Sequence, residues 1–124
     1  MRIFVTRPFE RFARQERIEN ADLREAIERA EAGLVDADLC GNLVKQRIAR
    51  RGQGRSGGFR AIIAYRKGRR SVFVHGFAKS DRDNITAGEL RDLQDAAKVL
   101  LGLDSAGIKK AVKERRLIEV TKNG

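Results

Sequence analysis

The stretch Phe59-Arg-Ala-Ile-Ile-Ala-Tyr-Arg-Lys-Gly-Arg-Arg-Ser-Val-Phe-Val-His-Gly-Phe-Ala78 decides the fold. Phe59–Tyr65 and Ser71–Ala78 are rich in β-branched and aromatic residues, the composition that suits strands. Between them, Arg66-Lys-Gly-Arg69 is short and carries Gly68, so the pair reads as an antiparallel hairpin. Each strand is apolar on both faces, which places it centrally in a sheet.

Working outward, Asn42–Ala49 alternates: Leu43, Lys45, Arg47 and Ala49 share one face, and Val44, Gln46 and Ile48 the other. It supplies a third strand, joined to the hairpin by a loop over Arg50–Gly57 whose glycines suit a long turn. Upstream, Arg2–Val5 reads as a short strand. Thr6 and Pro8 then open a helix with Phe9, Phe12 and Ala13 on its apolar side. A second helix spans Asn20–Ala32, capped by Asn20 or Asp22 and stopped by Gly33, with Leu23, Ala26, Ile27 and Ala30 inward. Downstream, Thr86 and Glu89 have capping-box spacing before a helix that buries Leu90, Leu93, Ala97, Leu100 and Leu101 and ends at Gly102. Beyond it, Asp104–Arg116 is a weak helix because of Gly107, and its Lys109, Lys110, Lys113, Arg115 and Arg116 read as a mobile basic tail; Leu117–Val120 has the pattern of an edge strand. The expected fold is α+β: an N-terminal strand, a two-helix hairpin, a three-stranded antiparallel meander completing one sheet, a C-terminal helix and a basic tail.

Composition narrows the function. At 124 residues the chain is one domain, and 41% apolar with 35% charged residues suits a globular fold. No apolar run approaches the roughly 20 residues of a membrane span. The N-terminus is too poor in apolar residues for a secretory signal. A cytoplasmic location is the default expectation. Cys40 is the only cysteine and His75 the only histidine, which excludes an internal disulfide and makes a structural zinc site untenable. Cys40 reads as a small buried hydrophobe rather than a nucleophile partnered by His75.

The net charge is +10, and it is concentrated. Between Asn42 and Arg82 lie twelve Lys or Arg against one acid, Asp81, while the rest of the chain holds fifteen basic and sixteen acidic residues. Such a segment fits a phosphate-rich partner. Lys45 and Arg47 point the same way, Arg60 opens the next strand, and Lys79 and Arg82 follow the third. Strand ends about 5 Å apart can bring these cations together. Fixed cations around a phosphate would stabilise the charge that develops when a 2′-OH attacks it, and a lysine crowded by cations could lose a proton and act as base. No P-loop, Ser/His/Asp set or carboxylate pair competes with this reading. His75 alternates with Phe73 and Phe77 and reads first as a hydrogen-bonded core or half-core residue. On the residues alone this is a basic nucleic-acid-binding domain, with binding ahead of cleavage.

The element order, the Lys45-x-Arg47 strand, the Gly-x-Gly-x-Ser-Gly-Gly-Phe-Arg60 loop and the Phe77-Ala-Lys79 strand end resemble the RelE/ParE superfamily of bacterial toxins, nearest its RelE-like and HigB-like branch. The resemblance runs from Met1 to about Leu101, dividing the chain into a toxin domain over 1–102 and a basic extension over 103–124. It implies a ribosome-dependent, metal-independent mRNA endoribonuclease without cofactor, inhibiting translation and neutralised by a cognate antitoxin; its partners are that antitoxin, the ribosome and mRNA, with no membrane. By position Arg60 matches the arginine on the scissile phosphate, Lys45 and Arg47 the paired basic residues, and Lys79 a basic position at the last strand's end. Arg50, Arg51, Arg55, Arg66, Lys67, Arg69, Arg70 and Arg82 are assigned to the RNA backbone. The family arginine after the lysine falls at Ser80, with Arg82 nearby, and a substrate-stacking tyrosine falls at Thr86. HigB-like members use histidine in catalysis, for which His75 is the candidate. A gyrase inhibitor of the ParE kind and a non-catalytic nucleic-acid-binding protein are the alternatives.

Overall fold

The computed structural model describes residues 1–50, 54–79 and 85–121, with residues 49, 50 and 54–57 described by their backbone alone. The central hairpin is β4 (Gly54–Arg66) and β5 (Arg70–Ala78), turning at Gly68 with φ +72°, a left-handed conformation that glycine takes without strain. β3 (Leu43–Arg50) pairs antiparallel with β4 and completes the expected meander. β1 (Arg2–Thr6) joins the other side, parallel to β5. β2 (Ala37–Asp38) pairs with β3, and β6 (Leu117–Glu119) pairs antiparallel with β1. The six-stranded order is β2-β3-β4-β5-β1-β6.

Both faces of this sheet are covered, as two-sided apolar strands require. On one face α1 (Arg7–Gln15) and α2 (Asn20–Glu31) bury Phe9, Leu23 and Ile27 against Ile48, Phe59, Ile63 and Phe73. On the other, α3 (Ala87–Gly102) and α4 (Ser105–Lys113) bury Ala97, Leu101 and Ile108 against Phe4, Leu43, Ile62 and Val72. Thr6 caps α1, its hydroxyl accepting from the Phe9 N–H. Glu19, rather than Asn20 or Asp22, occupies the N-cap of α2; Asp22 contributes by accepting from the Glu19 N–H at 2.9 Å. Gly33 follows α2 at φ +86°, the stop expected of it. Among the described residues no helix is long and apolar enough to cross a membrane.

Three expectations are corrected. The loop foreseen over Arg50–Gly57 is shorter, because β4 begins at Gly54, which pairs with Arg50. The mobile basic tail is instead α4 and β6, with Ile108, Ala111, Leu117 and Val120 buried. Gly107 does not break α4: its N–H donates to the capping Asp104 Oδ1 at 2.7 Å, and an added Cβ would sit 3.1 Å from the Leu103 side chain. The charged residues of this segment face outward while its apolar minority reaches the core, a pattern that lysine density hides. Cys40, expected to be buried, is exposed in the turn before β3, at φ +65°.

Candidate functional site

Strand register decides which cations meet. Arg47 on β3 lies directly opposite Arg60 on β4, which lies opposite Phe77 on β5. One row nearer the hairpin turn, Lys45 faces Ile62, and Ile62 faces His75. Residues directly opposite one another project from the same face, with Cβ atoms about 5 Å apart. Ile62 and Phe77 belong to the α3-side core, so Lys45, Arg47, Arg60 and His75 share that face, at the edge of the buried cluster. Lys79 continues it: its N–H donates to Gly58 O at 3.2 Å, and its side chain is exposed. The four residues expected to carry chemistry therefore lie on one face at one end of the sheet.

His75 joins them through an irregularity. Alternation along β5 would put it on the side of Phe73, but the register slips between Ile62 and Ile63, so Ile62 opposes His75 while Ile63 opposes Phe73. The extra residue, Val74, packs with the α3-side core, whereas Phe73 packs on the opposite face against Phe9, ring centroids 5.0 Å apart. The bulge turns His75 toward the cations, half-buried, with its ring 5.9 Å from that of Phe77. Bulges re-aim side chains in this way.

Two residues that sequence reasoning passed over hold β3 in place. Gln46, fully buried between Lys45 and Arg47, donates to Ala26 O at 2.9 Å and Leu34 O at 3.1 Å, and accepts from the Asp36 N–H at 2.8 Å. A glutamine on the face shared with Val44 and Ile48 was the available signal. Asp36 accepts from the Arg47 N–H at 2.6 Å, and its other oxygen stands 3.7 Å from Arg47 Nε. Arg29 reinforces this: its Nη1 lies 3.6 Å from Asp36 and its Nη2 donates to Arg47 O. Arg60 donates to its neighbour's carbonyl, Phe59 O, at 3.3 Å, and its guanidinium has no carboxylate partner among the described residues. The result is a cationic row on a rigid strand pair, with Arg47 only weakly balanced. It suits the non-bridging oxygens of a phosphodiester, which arginine's planar fork can engage in pairs.

The remaining basic candidates are placed elsewhere. Arg66, Lys67, Arg69 and Arg70 sit at the opposite end of the sheet; Arg66 is six residues from Arg60 along β4, roughly 20 Å at 3.3 Å per residue. Arg51 and Arg82 fall outside the described residues, as do the side chains of Arg50 and Arg55.

The model of the family described as the RelE toxin of the RelE / RelB toxin-antitoxin system matches residues 1–120. The chain belongs to the RelE toxin family. It is thus a type II toxin–antitoxin toxin, with an antitoxin as its partner. The match to RelE continues past Gly102 through α4 and β6, beyond the resemblance ending near Leu101. Comparison with curated proteins returns no match. Thr86, where the resemblance places a substrate-stacking tyrosine, has a structural task here. Its hydroxyl accepts from the Glu89 N–H at 3.1 Å while Glu89 accepts from the Thr86 N–H at 2.9 Å, closing the expected capping box on α3. Ser80, where the resemblance places an arginine, lies outside the described residues.

Proposed function

We propose that this toxin is an endoribonuclease that cleaves mRNA on the ribosome, in the cytoplasm, and is neutralised when its antitoxin covers the cationic face. The observation that carries the reading is the Arg47–Arg60 pair: two arginines directly opposed on adjacent strands, with Lys45 two residues away on the same face. In the proposed reaction the 2′-oxygen bonds to the adjacent phosphorus and the bond to the 5′-oxygen breaks. The products are a 2′,3′-cyclic phosphate and a 5′-hydroxyl. Arg60 bears on the scissile phosphate and stabilises charge on its non-bridging oxygens, with Arg47 and Lys79 completing the cationic surround. Lys45 or His75 takes the 2′-proton, and the leaving 5′-oxygen is protonated from water. With Thr86 engaged as a cap, base stacking is left to ribosome and message. This makes the enzyme dependent on substrate placement by the ribosome. Arg50, Arg51, Arg55 and Arg82 are assigned to RNA backbone.

Induced expression should arrest growth and produce cleavages in ribosome-bound mRNA that primer extension maps. Arg60→Ala should lower cleavage about 10²–10³-fold, the usual cost of one donor to a developing oxyanion. Growth should recover, while the variant's melting temperature stays near wild type. Intact mRNA and normal growth with a folded wild-type toxin would refute the proposal. A supercoiling defect with translation unaffected would assign the toxin to gyrase instead, and RNA binding without ribosomal cleavage would reduce it to a binding protein.

A further inference from the structure

At the far end of the sheet, three arginines stand in a row. Arg66 on β4 is opposite Arg70 on β5, and Arg70 is opposite Arg2 on β1. Like charges placed directly across strands are destabilising. The row is only partly neutralised: Arg2 forms a two-pronged contact with Glu119, at 2.9 and 3.0 Å, which accounts for one end. Arg70 Nη1 donates to Leu100 O at 2.8 Å and Arg66 Nη1 to Leu101 O at 3.4 Å, capping the last turn of α3. Those bonds engage one nitrogen of each guanidinium. Arg66, Arg69 and Arg70 then line a cleft of about 240 Å³ together with Leu101 and Leu103, and no carboxylate is among its walls. Burial, followed by the like charges of Arg2 and Arg66, holds Arg70 below the ordinary arginine range. A bound anion would relieve that repulsion.

We propose that this cleft is a second phosphate-binding site, taking the backbone of RNA through Arg66, Arg69 and Arg70, separate from the Arg47–Arg60 row. RNA as the polyanion rests on the proposed function. The grouping of three guanidinium groups does not. Both arginine rows lie on the α3 side of the sheet, Arg66 and Arg60 being an even number of residues apart on β4, with α3 packed between them. One RNA reaching both must pass alongside that helix, so the cleft takes phosphates distant from the cleaved bond. Walls formed largely by guanidinium suit phosphate better than the side chains of a folded protein.

The test measures binding of a labelled 16-nucleotide single-stranded RNA to the full-length toxin as a function of salt, without ribosomes. Each phosphate that a variant no longer neutralises on the single strand should lower the slope of log K against log[salt] by about 0.7. Arg66→Gln with Arg69→Gln should reduce it by about 1.4. Combined with Arg60→Ala, the losses should add in log K, since sites this far apart are independent. Arg69→Gln alone, which removes an exposed side chain, should reduce the slope by about 0.7 and keeps the test valid if the double variant melts early. A slope equal to wild type in Arg69→Gln and in the folded double variant overturns the proposal. So does stabilisation by inorganic phosphate that depends on these arginines without any change in the RNA slope, which would mean a small-anion site. Binding of a glutamate-rich peptide that depends on them while RNA binding does not would give the cleft to a protein partner. Because cleavage is not the readout, this result stands or falls independently of the Arg60→Ala experiment.

Discussion

Replacing Gln46 by leucine tests whether the cationic strand is held from behind. The side chain is fully buried, and leucine nearly matches its volume, so the substitution removes hydrogen bonds without opening a cavity. Ala26 O, inside α2, keeps the partner that helical geometry gives it. Leu34 O and Asp36 N lose the partners that Gln46 supplies at 3.1 and 2.8 Å. Two part-buried backbone groups left unpaired cost about 1–3 kcal/mol each. Leucine's added apolar burial offsets about 2 kcal/mol of that. The net expectation is a loss of about 2 kcal/mol, or roughly 8 °C in melting temperature for a chain of this size. Urea unfolding followed by circular dichroism should show a lower midpoint with an unchanged slope. Gln46→Glu should be worse at neutral pH, because it removes both donors to the carbonyls and places a carboxylate among them. It should recover partly at pH 4, where a protonated acid can donate again. If Gln46→Leu matches wild type within about 0.5 kcal/mol, these contacts do not fix β3, and the explanation of how Lys45 and Arg47 are aimed fails.

Two further perturbations address the same face of the sheet, the one packed on α1 and α2. Gly76→Ala would place a Cβ 2.5 Å from two carbons of the Phe12 ring and 3.0 Å from Phe9, an overpacking worth about 1–3 kcal/mol of lost stability; a stabilised variant in thermal melts would contradict the close approach. The Glu31 carboxyl is held below its ordinary 4.5, chiefly by the hydrogen bond from Tyr65 and then by the Gly68 N–H and Lys67, against opposing desolvation. A folded value depressed in this way gives stability that is complete above about pH 4.5 and lost as pH falls through the folded value. Glu31→Gln should therefore lose less stability than wild type between pH 7 and pH 3, keeping the share that the Arg2–Glu119 pair contributes with the same sign. Equal losses in the two proteins would refute the assignment.

The central meander was legible because its signals are local: apolar strands, a glycine turn and a period of two in Asn42–Ala49. The grouping of Lys45, Arg47 and Arg60 followed from that period once β3 and β4 paired without slip from Leu43 to Ile48. What escaped depends on contacts distant in sequence. The slip at Val74 reassigns His75 to the other face, and no composition rule marks a one-residue bulge within an apolar strand. Asp36 belongs to a short connecting segment whose value lies in reaching β3. The order of α4 and β6 rests on a few apolar residues, Ile108, Ala111, Leu117 and Val120, within a strongly basic sequence. A basic tail and an ordered, basic-faced helix share the same composition; only the spacing of the apolar minority separates them.

The two ends of the sheet show how one fold treats the same electrostatic problem differently. Opposed arginines cost stability wherever they occur, up to about 1 kcal/mol per pair. At the hairpin end the cost is partly offset, with carbonyls from α3 against Arg66 and Arg70 and a carboxylate against Arg2, so part of that row also secures a helix terminus. At the Arg47–Arg60 end the compensation among the described residues is thinner: one carboxylate at 3.7 Å from Arg47, itself shared with Arg29. That carboxylate is more tightly engaged with the Arg47 backbone than with its guanidinium, 2.6 Å against 3.7 Å. Asp36 therefore fixes the strand without cancelling the charge. Among the described residues, folding gives no reason to keep an under-neutralised arginine pair on a strand that a buried glutamine already locks in place. A ligand that brings negative charge does, and a transition state that concentrates it on phosphoryl oxygens gives a stronger one.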